Sequence, residues 1–229
     1  ESGARLIVID TLRDGDLIEI GAAVADLPLI TGGSGIALGL PENFRMRGEI
    51  GTSGMSWAGV GGPCVALSGS CSKTTRAQIV CHAKSHPTLE IVADAVMGGE
   101  LTPGAAAAWA KKHADGVPLI YSSTDAKTVS QAQATYGKQE IADQIEGFFA
   151  ATARLLRDAG YSRIISAGGE TSGAVVAALG ADALEIGPEI DPGVPAVKVV
   201  GAELALALKS GNFGREDFFA HAAEVLKAP

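Results

Sequence analysis

A chain of 229 residues, 47% of them hydrophobic, holds enough apolar material for one large α/β domain or two small ones and shows no composition typical of domain-scale disorder. Its formal net charge of -8, with a sequence pI near 5.0, argues against nucleic acid as the main partner, because a basic face would have to be assembled against the overall field. A local anion site built from backbone N–H groups remains open to it.

Residues 5–10 form a short apolar run expected to be a strand. Asp14 or Asp16 can cap a following helix whose apolar positions Leu17, Ile20, Val24 and Leu27 recur at helical spacing. Residues 27–31 read as the next strand, ending in Thr31-Gly32-Gly33-Ser34-Gly35, and residues 36–40 as a short helix stopped before Pro41. From Asn43 to Pro63 the pattern dissolves into Gly and Ser, so a long surface loop is expected.

Residues 64–67 resume the sheet, Ser68-Gly69-Ser70-Cys71-Ser72 follows as a second small-residue loop, and residues 74–84 read as a helix with Ile79 and Val80 inward. Residues 88–92 form another strand. Thr102 before Pro103 is an N-cap residue followed by Pro at the first helical position, opening an alanine-rich helix to about Asp115. Residues 117–121 return as a strand whose Pro118 argues against a central position, and a polar stretch covers 122–139.

Ile141, Ile145, Phe148, Phe149, Leu155 and Leu156 mark the longest amphipathic helix, closed by Gly160. Residues 163–179 then run from apolar strand through Gly168-Gly169-Glu170-Thr171 into a small-residue helix, the arrangement in which free N–H groups and the helix dipole favour an anion. A strand over 183–186, a turn-rich 187–193, a strand around 197–200, an apolar 204–208, a last loop Ser210-Gly211-Asn212-Phe213-Gly214 and a helix over 216–227 complete the chain. Strands alternate with helices throughout, so the expected fold is α/β: a mostly parallel sheet with helices on both faces, forming a single nucleotide-binding domain over 1–229. Ligands in such sheets sit beyond the carboxyl ends of the strands, where several of these loops can converge.

Cys64, Cys71 and Cys81 carry no zinc spacing and read as reduced thiols of a cytoplasmic protein; no set of protein metal ligands is expected. His82, His86, His113 and His221 also lack metal spacing and read as surface residues. The span 51–72 is uncharged but too rich in Gly and Ser for a membrane helix, so no membrane partner is expected. The first residues have neither an initiator Met nor a secretory pattern, which suggests a piece of something longer. No GxxxxGK[ST] and no G-x-S-x-G occurs. Gly33, Gly35 and Gly39 approximate a dinucleotide fingerprint, without an acid at the end of a second strand. Glu170 at the mouth of an anion site suits a place near magnesium or a ribose hydroxyl, or else a charge stabilised by the helix dipole.

Five motifs in register, residues 29–37, Gly69-Ser70-Cys71-Ser72 with Thr75 and Gln78, residues 167–173, residues 187–195 and residues 208–214, resemble the four-carbon acid sugar kinases across nearly the whole chain. The resemblance is to that family's carboxy-terminal nucleotide-binding domain. It implies an ATP-dependent kinase of 3-oxo-tetronate, threonate or erythronate that phosphorylates the C4 hydroxyl, with Mg²⁺ screening the phosphates. ATP contacts would fall on Ser70 or Ser72, on Gly168, Gly169, Glu170 and Thr171, and on Gly211. The family's acid-sugar-binding domain, with its early Asp-Asp motif, has no counterpart here, so the acid sugar would be reached through an amino-terminal domain outside these residues, and no catalytic residue is assigned. The competing expectations are an NAD(P)-dependent oxidoreductase using Gly33, Gly35 and Gly39, and a non-catalytic nucleotide-binding module.

Overall fold

The computed structural model describes residues 7–51, 57–122, 130, 132 and 134–228. It divides into two compact units, Glu1–Gly54 and Met55–Pro229. Among the described residues the first unit contains helix α1 (Asp14–Ala23), a 3-10 turn (Ser34–Leu38) and helix α2 (Pro41–Met46), and no strand. Two sequence expectations fail here. Ile7, Val8 and Ile9 are 75%, 93% and 56% exposed and Leu29 is 84% exposed, and neither run has a ladder partner. An apolar run becomes a strand only where another strand takes its N–H and C=O groups. Arg5 and Leu6 lie outside the described residues. The short helix expected over 36–40 is a 3-10 turn that does end before Pro41, but a new helix starts at that proline, which takes the first position of α2, where its missing N–H costs nothing, so the expected loop over 43–63 begins later.

In the second unit seven strands form one sheet among the described residues: β1 (Cys64–Ser68), β2 (Thr88–Ile91), β3 (Leu119–Ser122), β4 (Arg163–Ala167), β5 (Leu184–Asp191), β6 (Val194–Val199) and β7 (Ala205–Lys209). Their order is β2-β3-β1-β4-β7-β6-β5, parallel from β2 to β7 and antiparallel at β7-β6-β5. The mostly parallel α/β sheet expected from the alternating pattern is therefore present.

Helices of this unit among the described residues include α3 (Lys73–His82), α4 (Ala93–Met97), α5 (Pro103–Lys112), α6 (Lys138–Asp158), α7 (Gly169–Leu179) and α8 (Phe218–Val225). Alternate residues of the central strands feed two cores, one on each face. Val65, Leu67, Ile120 and Ile164 meet Phe149 and Leu156 of α6 and Val175 of α7. Cys64, Ala66, Ile165 and Ala205 meet Ile79 of α3 and Phe218, Phe219 and Ala222 of α8. Burial on both faces explains why these strands read as continuous apolar runs.

Several local signals hold. Thr102 caps α5 by accepting the Ala105 N–H at 3.2 Å, and Gly160 follows α6 at φ 92°. Pro118 stands just before β3, which lies between β2 and β1 and not at an edge; its carbonyl accepts the Ala66 N–H at 2.9 Å. The turn-rich stretch 187–193 is mostly strand: β5 continues through it with register shifts to Asp191.

Candidate functional site at the carboxyl ends of β1, β4 and β7

The register of the central strands lines up their ends. Ser68 pairs with Ala167, and Ala167 pairs with Lys209, so three loops leave the sheet at one level. The ladder continues one residue further, with the Gly69 N–H donating to Ala167 O at 3.1 Å and the Gly168 N–H to Lys209 O at 2.9 Å. Gly69, Gly168 and Ser210 therefore start their loops side by side.

Gly168 sits at φ 120°, and a Cβ there would come within 3.1 Å of Thr171 Oγ1 and 3.4 Å of the Ser70 nitrogen. Only glycine satisfies both the backbone and the approach of the neighbouring loop. Its carbonyl accepts the Ser172 N–H at 2.8 Å, so α7 starts directly from the strand end and leaves its first N–H groups at the exposed residues Gly169 and Glu170. Thr171 is buried against Gly69.

The first and third loops are joined by hydroxyls. Ser72 caps α3, its Oγ accepting the Thr75 N–H at 3.1 Å while donating to Gly211 O. Thr75 Oγ1 also donates to Gly211 O, at 2.8 Å, and accepts from Lys209 Nζ at 2.9 Å. A Cβ at Gly211 would run into the Ser70 hydroxyl and Ser72, so that glycine is fixed by the contact between two loops. Further out, Gln78 Nε2 donates to the carbonyls of Phe213, Gly214 and Arg215 at 2.8–3.0 Å and holds the rest of the third loop on α3.

All seven expected contact residues therefore follow these three adjacent strands: Ser70, Ser72, Gly168 and Gly211 in the loops, and Gly169, Glu170 and Thr171 in the first turn of α7. Sequence reasoning assigned no role to Thr75, Gln78 or Lys209. The available signal was the placing of one lysine at the end of an apolar run directly before a glycine loop, and of two polar residues three and six positions after an N-cap serine.

Beside the loops lies a cavity of about 230 Å³ lined by the exposed Cys71 and Glu170 at its mouth, by Gly69 and the buried Thr171, and by Ile91 and Ile145. Glu146 of α6 also lines it, and its carboxyl is held above the usual carboxylate range by burial, then by repulsion from Glu170 and Asp143. Of the other motif carboxylates, Asp191 is taken by Arg215, whose backbone N–H and Nε donate to it at 2.9 and 2.8 Å. Glu189 accepts the Gly193 N–H at 2.8 Å across the β5–β6 turn.

The histidines correct the surface reading. His82 is buried, its Nε2 hydrogen-bonded to Val117 O at 2.9 Å and its ring stacked on His86 at 4.3 Å, and burial pushes its pKa down to about 4. The sequence contains no sign of that burial because it arises where α3 packs beside the turn before β3. His86, His113 and His221 bond backbone carbonyls. No disulfide joins the three cysteines, and among the described residues no group of three or more His, Cys, Asp or Glu is placed to hold a metal. No helix among them is long and apolar enough to cross a membrane.

The dinucleotide alternative loses its geometry. Gly33 and Gly35 stand at a 3-10 turn with no strand before it and no α-helix opening from it. Gly39 is needed because a Cβ there would strike the Leu17 carbonyl and Gly21 of α1.

Serine- and glycine-rich loops converging at the carboxyl ends of adjacent parallel strands are the arrangement in which open α/β sheets carry their ligand sites. Residues 65–219 match the family model described as the nucleotide-binding C-terminal domain, and the chain belongs to that family, as the carboxy-terminal domain of the four-carbon acid sugar kinases. It is 44% identical over 98% of its length to a 3-oxo-tetronate kinase of Burkholderia multivorans and 46% identical over 96% to one of Pseudomonas fluorescens, spanning 53% and 52% of those proteins. The crystal structure of the Haemophilus influenzae protein HI1011 superposes with a TM-score of 0.77 at 34% identity, covering 96% of this chain and 53% of that one. The chain thus spans about half the length of the curated relatives it matches.

Proposed function

We propose that this chain is the ATP-binding part of a kinase that transfers the γ-phosphate of ATP to the C4 hydroxyl of a four-carbon acid sugar such as 3-oxo-tetronate. The observation that carries the reading is the common level of Ser68, Ala167 and Lys209, which sets three loops around one space at the sheet edge. Backbone N–H groups of the loop before α7 and of the loop after β7 would bind the phosphates, with Ser70 and Ser72 beside them. The apolar wall at Ile91 and Ile145 would take the base, with water excluded from its faces.

Magnesium fits the residues present. Glu146 and Glu170 repel one another at the cavity, and a divalent cation offsets such a pair while needing only one or two carboxylates besides phosphate oxygens and water. Glu170 would hold it at the mouth of the site, where it would neutralise phosphate charge. Phosphoryl transfer also needs an acceptor hydroxyl in line and a group to take its proton, and both are assigned to the amino-terminal half of the relatives' length.

Calorimetric titration of the 229-residue chain with MgATP, NADH and NADPH tests the binding reading, with micromolar MgATP binding expected; binding of a nicotinamide nucleotide in preference to MgATP would overturn it. Phosphorylation of 3-oxo-tetronate, threonate or erythronate is expected only when the chain is joined to an amino-terminal domain of the kind its relatives carry. Turnover by the 229-residue chain alone would refute the division of labour and direct the search for a base to Glu170 or Glu189.

A further inference from the structure

We infer that Lys209 is a phosphate-positioning residue, the buried positive charge that turns the Gly211 and Asn212 N–H groups outward to an anionic ligand. The inference rests on the proposed nucleotide site and deepens it.

Lys209 ends β7 with only 2% of its surface exposed. Its ammonium has three protons and three acceptors: Thr75 Oγ1 at 2.9 Å, Ser210 O at 3.2 Å and Gly211 O at 3.3 Å. Two successive carbonyls of the loop are thus drawn to one buried cation. In a planar trans peptide the C=O and N–H point in opposite directions. The N–H groups that follow those carbonyls, on Gly211 and Asn212, therefore face away from Lys209, toward the side of the loop where Ser210 and Asn212 are exposed. Neither N–H has an acceptor among the described residues; within the loop only Phe213 donates, to Ser210 O at 3.3 Å. Consecutive amides turned the same way form a concavity for an anion.

The charge balance points the same way. No carboxylate lies within ion-pair distance of Lys209 Nζ among the described residues, and the ammonium also lies over the Phe218 ring, 5.6 Å from its centroid. The carboxylates on the surrounding elements make no ion pair with it: Glu170, in the first turn of the α7 helix that packs on β7, is exposed. On α3, Lys73 and Arg76 are exposed; Asp191 of β5 is bound to Arg215 at 2.8 Å; Glu216 and Asp217 before α8 are exposed; and His221 of α8 meets Ile190 O. A buried ammonium with only neutral acceptors is costly unless charge of the other sign is near, and phosphates docked on the outer face of the loop supply it. Burial accordingly pushes the Lys209 pKa down to about 8.

The test compares the 229-residue chain with Lys209→Met, titrating MgATP, tripolyphosphate and adenosine. Lys209→Met is expected to weaken MgATP and tripolyphosphate at least tenfold and to leave adenosine within twofold. In the unmodified chain MgATP affinity should fall severalfold between pH 8 and pH 9, and this dependence should vanish in the variant. Equal losses for all three ligands, no loss at all, or an affinity flat from pH 7 to pH 10 would overturn the inference and leave the nucleotide reading standing. Binding of tripolyphosphate without MgATP would keep the role of Lys209 and refute the nucleotide site, and binding of neither refutes both. Should Lys209→Met fail to fold, the pH profile of the unmodified chain decides.

Discussion

Replacing Thr75 by valine removes one hydroxyl from the junction of the first and third loops and changes almost nothing else, since the two side chains have nearly the same shape. Thr75 is fully buried, so no water replaces what is lost. Its Oγ1 donates to Gly211 O at 2.8 Å and accepts from the Lys209 ammonium at 2.9 Å. A neutral hydrogen bond contributes about 1 kcal/mol net and one from a charged group about 1.5–3 kcal/mol, so Thr75→Val should cost roughly 2–4 kcal/mol. At roughly 2–4 °C per kcal/mol for a chain of this size, the melting temperature should drop by about 4–16 °C. Gly211 O keeps the Ser72 hydroxyl and the longer contact to Lys209, so the loop loosens without detaching. A weakening of MgATP binding by about tenfold, or about 1.4 kcal/mol, is expected below the new melting temperature. Thr75→Ser keeps the hydroxyl and should restore both stability and affinity to within about 1 kcal/mol of the unmodified chain, less the packing of one methyl. Differential scanning calorimetry and isothermal titration measure the two quantities. A valine variant that melts and binds as the parent does would refute the clamp. So would a serine variant as impaired as the valine one.

Glu170→Gln keeps the shape at the cavity mouth and removes the charge, so affinity should fall for MgATP and stay the same or rise for metal-free ATP; equal changes in both would assign Glu170 to the ribose or to the α7 dipole. His82 is buried with its folded pKa at about 4, below the ordinary 6.5, so between these values the unfolded chain takes up a proton that the folded chain refuses. Stability is therefore lost as pH falls through that window, by up to about 3 kcal/mol, and a His82→Gln variant should show a shallower fall in chemical denaturation than the parent, an equal slope refuting the assignment. Cys64 is buried with its pKa pushed up to about 12, whereas Cys71 is exposed at the cavity mouth. Iodoacetamide at pH 8 should modify Cys71 well before Cys64, and MgATP should slow that reaction; mass spectrometry that finds no protection would place the nucleotide elsewhere.

The α/β class of the second unit is legible in the sequence, because short continuous apolar runs at β1, β4 and β7, bounded by glycine and serine, suit strands buried on both faces, and their alternation with helical periodicity suits a largely parallel sheet. The glycine loops that follow those strands are legible too, since Gly168 and Gly211 are local facts of chain order. Capping was legible at Thr102 for the same reason: a cap acts over three residues. Strand pairing, by contrast, is settled only in the folded chain. Residues 7–9 and 29 carry the apolar run of a strand and have no ladder partner, whereas the turn-rich 187–191 is strand because β6 takes its backbone groups. The same holds in the candidate site. Thr75 and Lys209 are 134 positions apart in the chain and meet through a 2.9 Å hydrogen bond only because β1 and β7 flank β4 in register. Periodicity and propensity act along the chain, but hydrogen bonds and charge burial between strands are fixed by sheet order, and short segments of sequence do not encode that order.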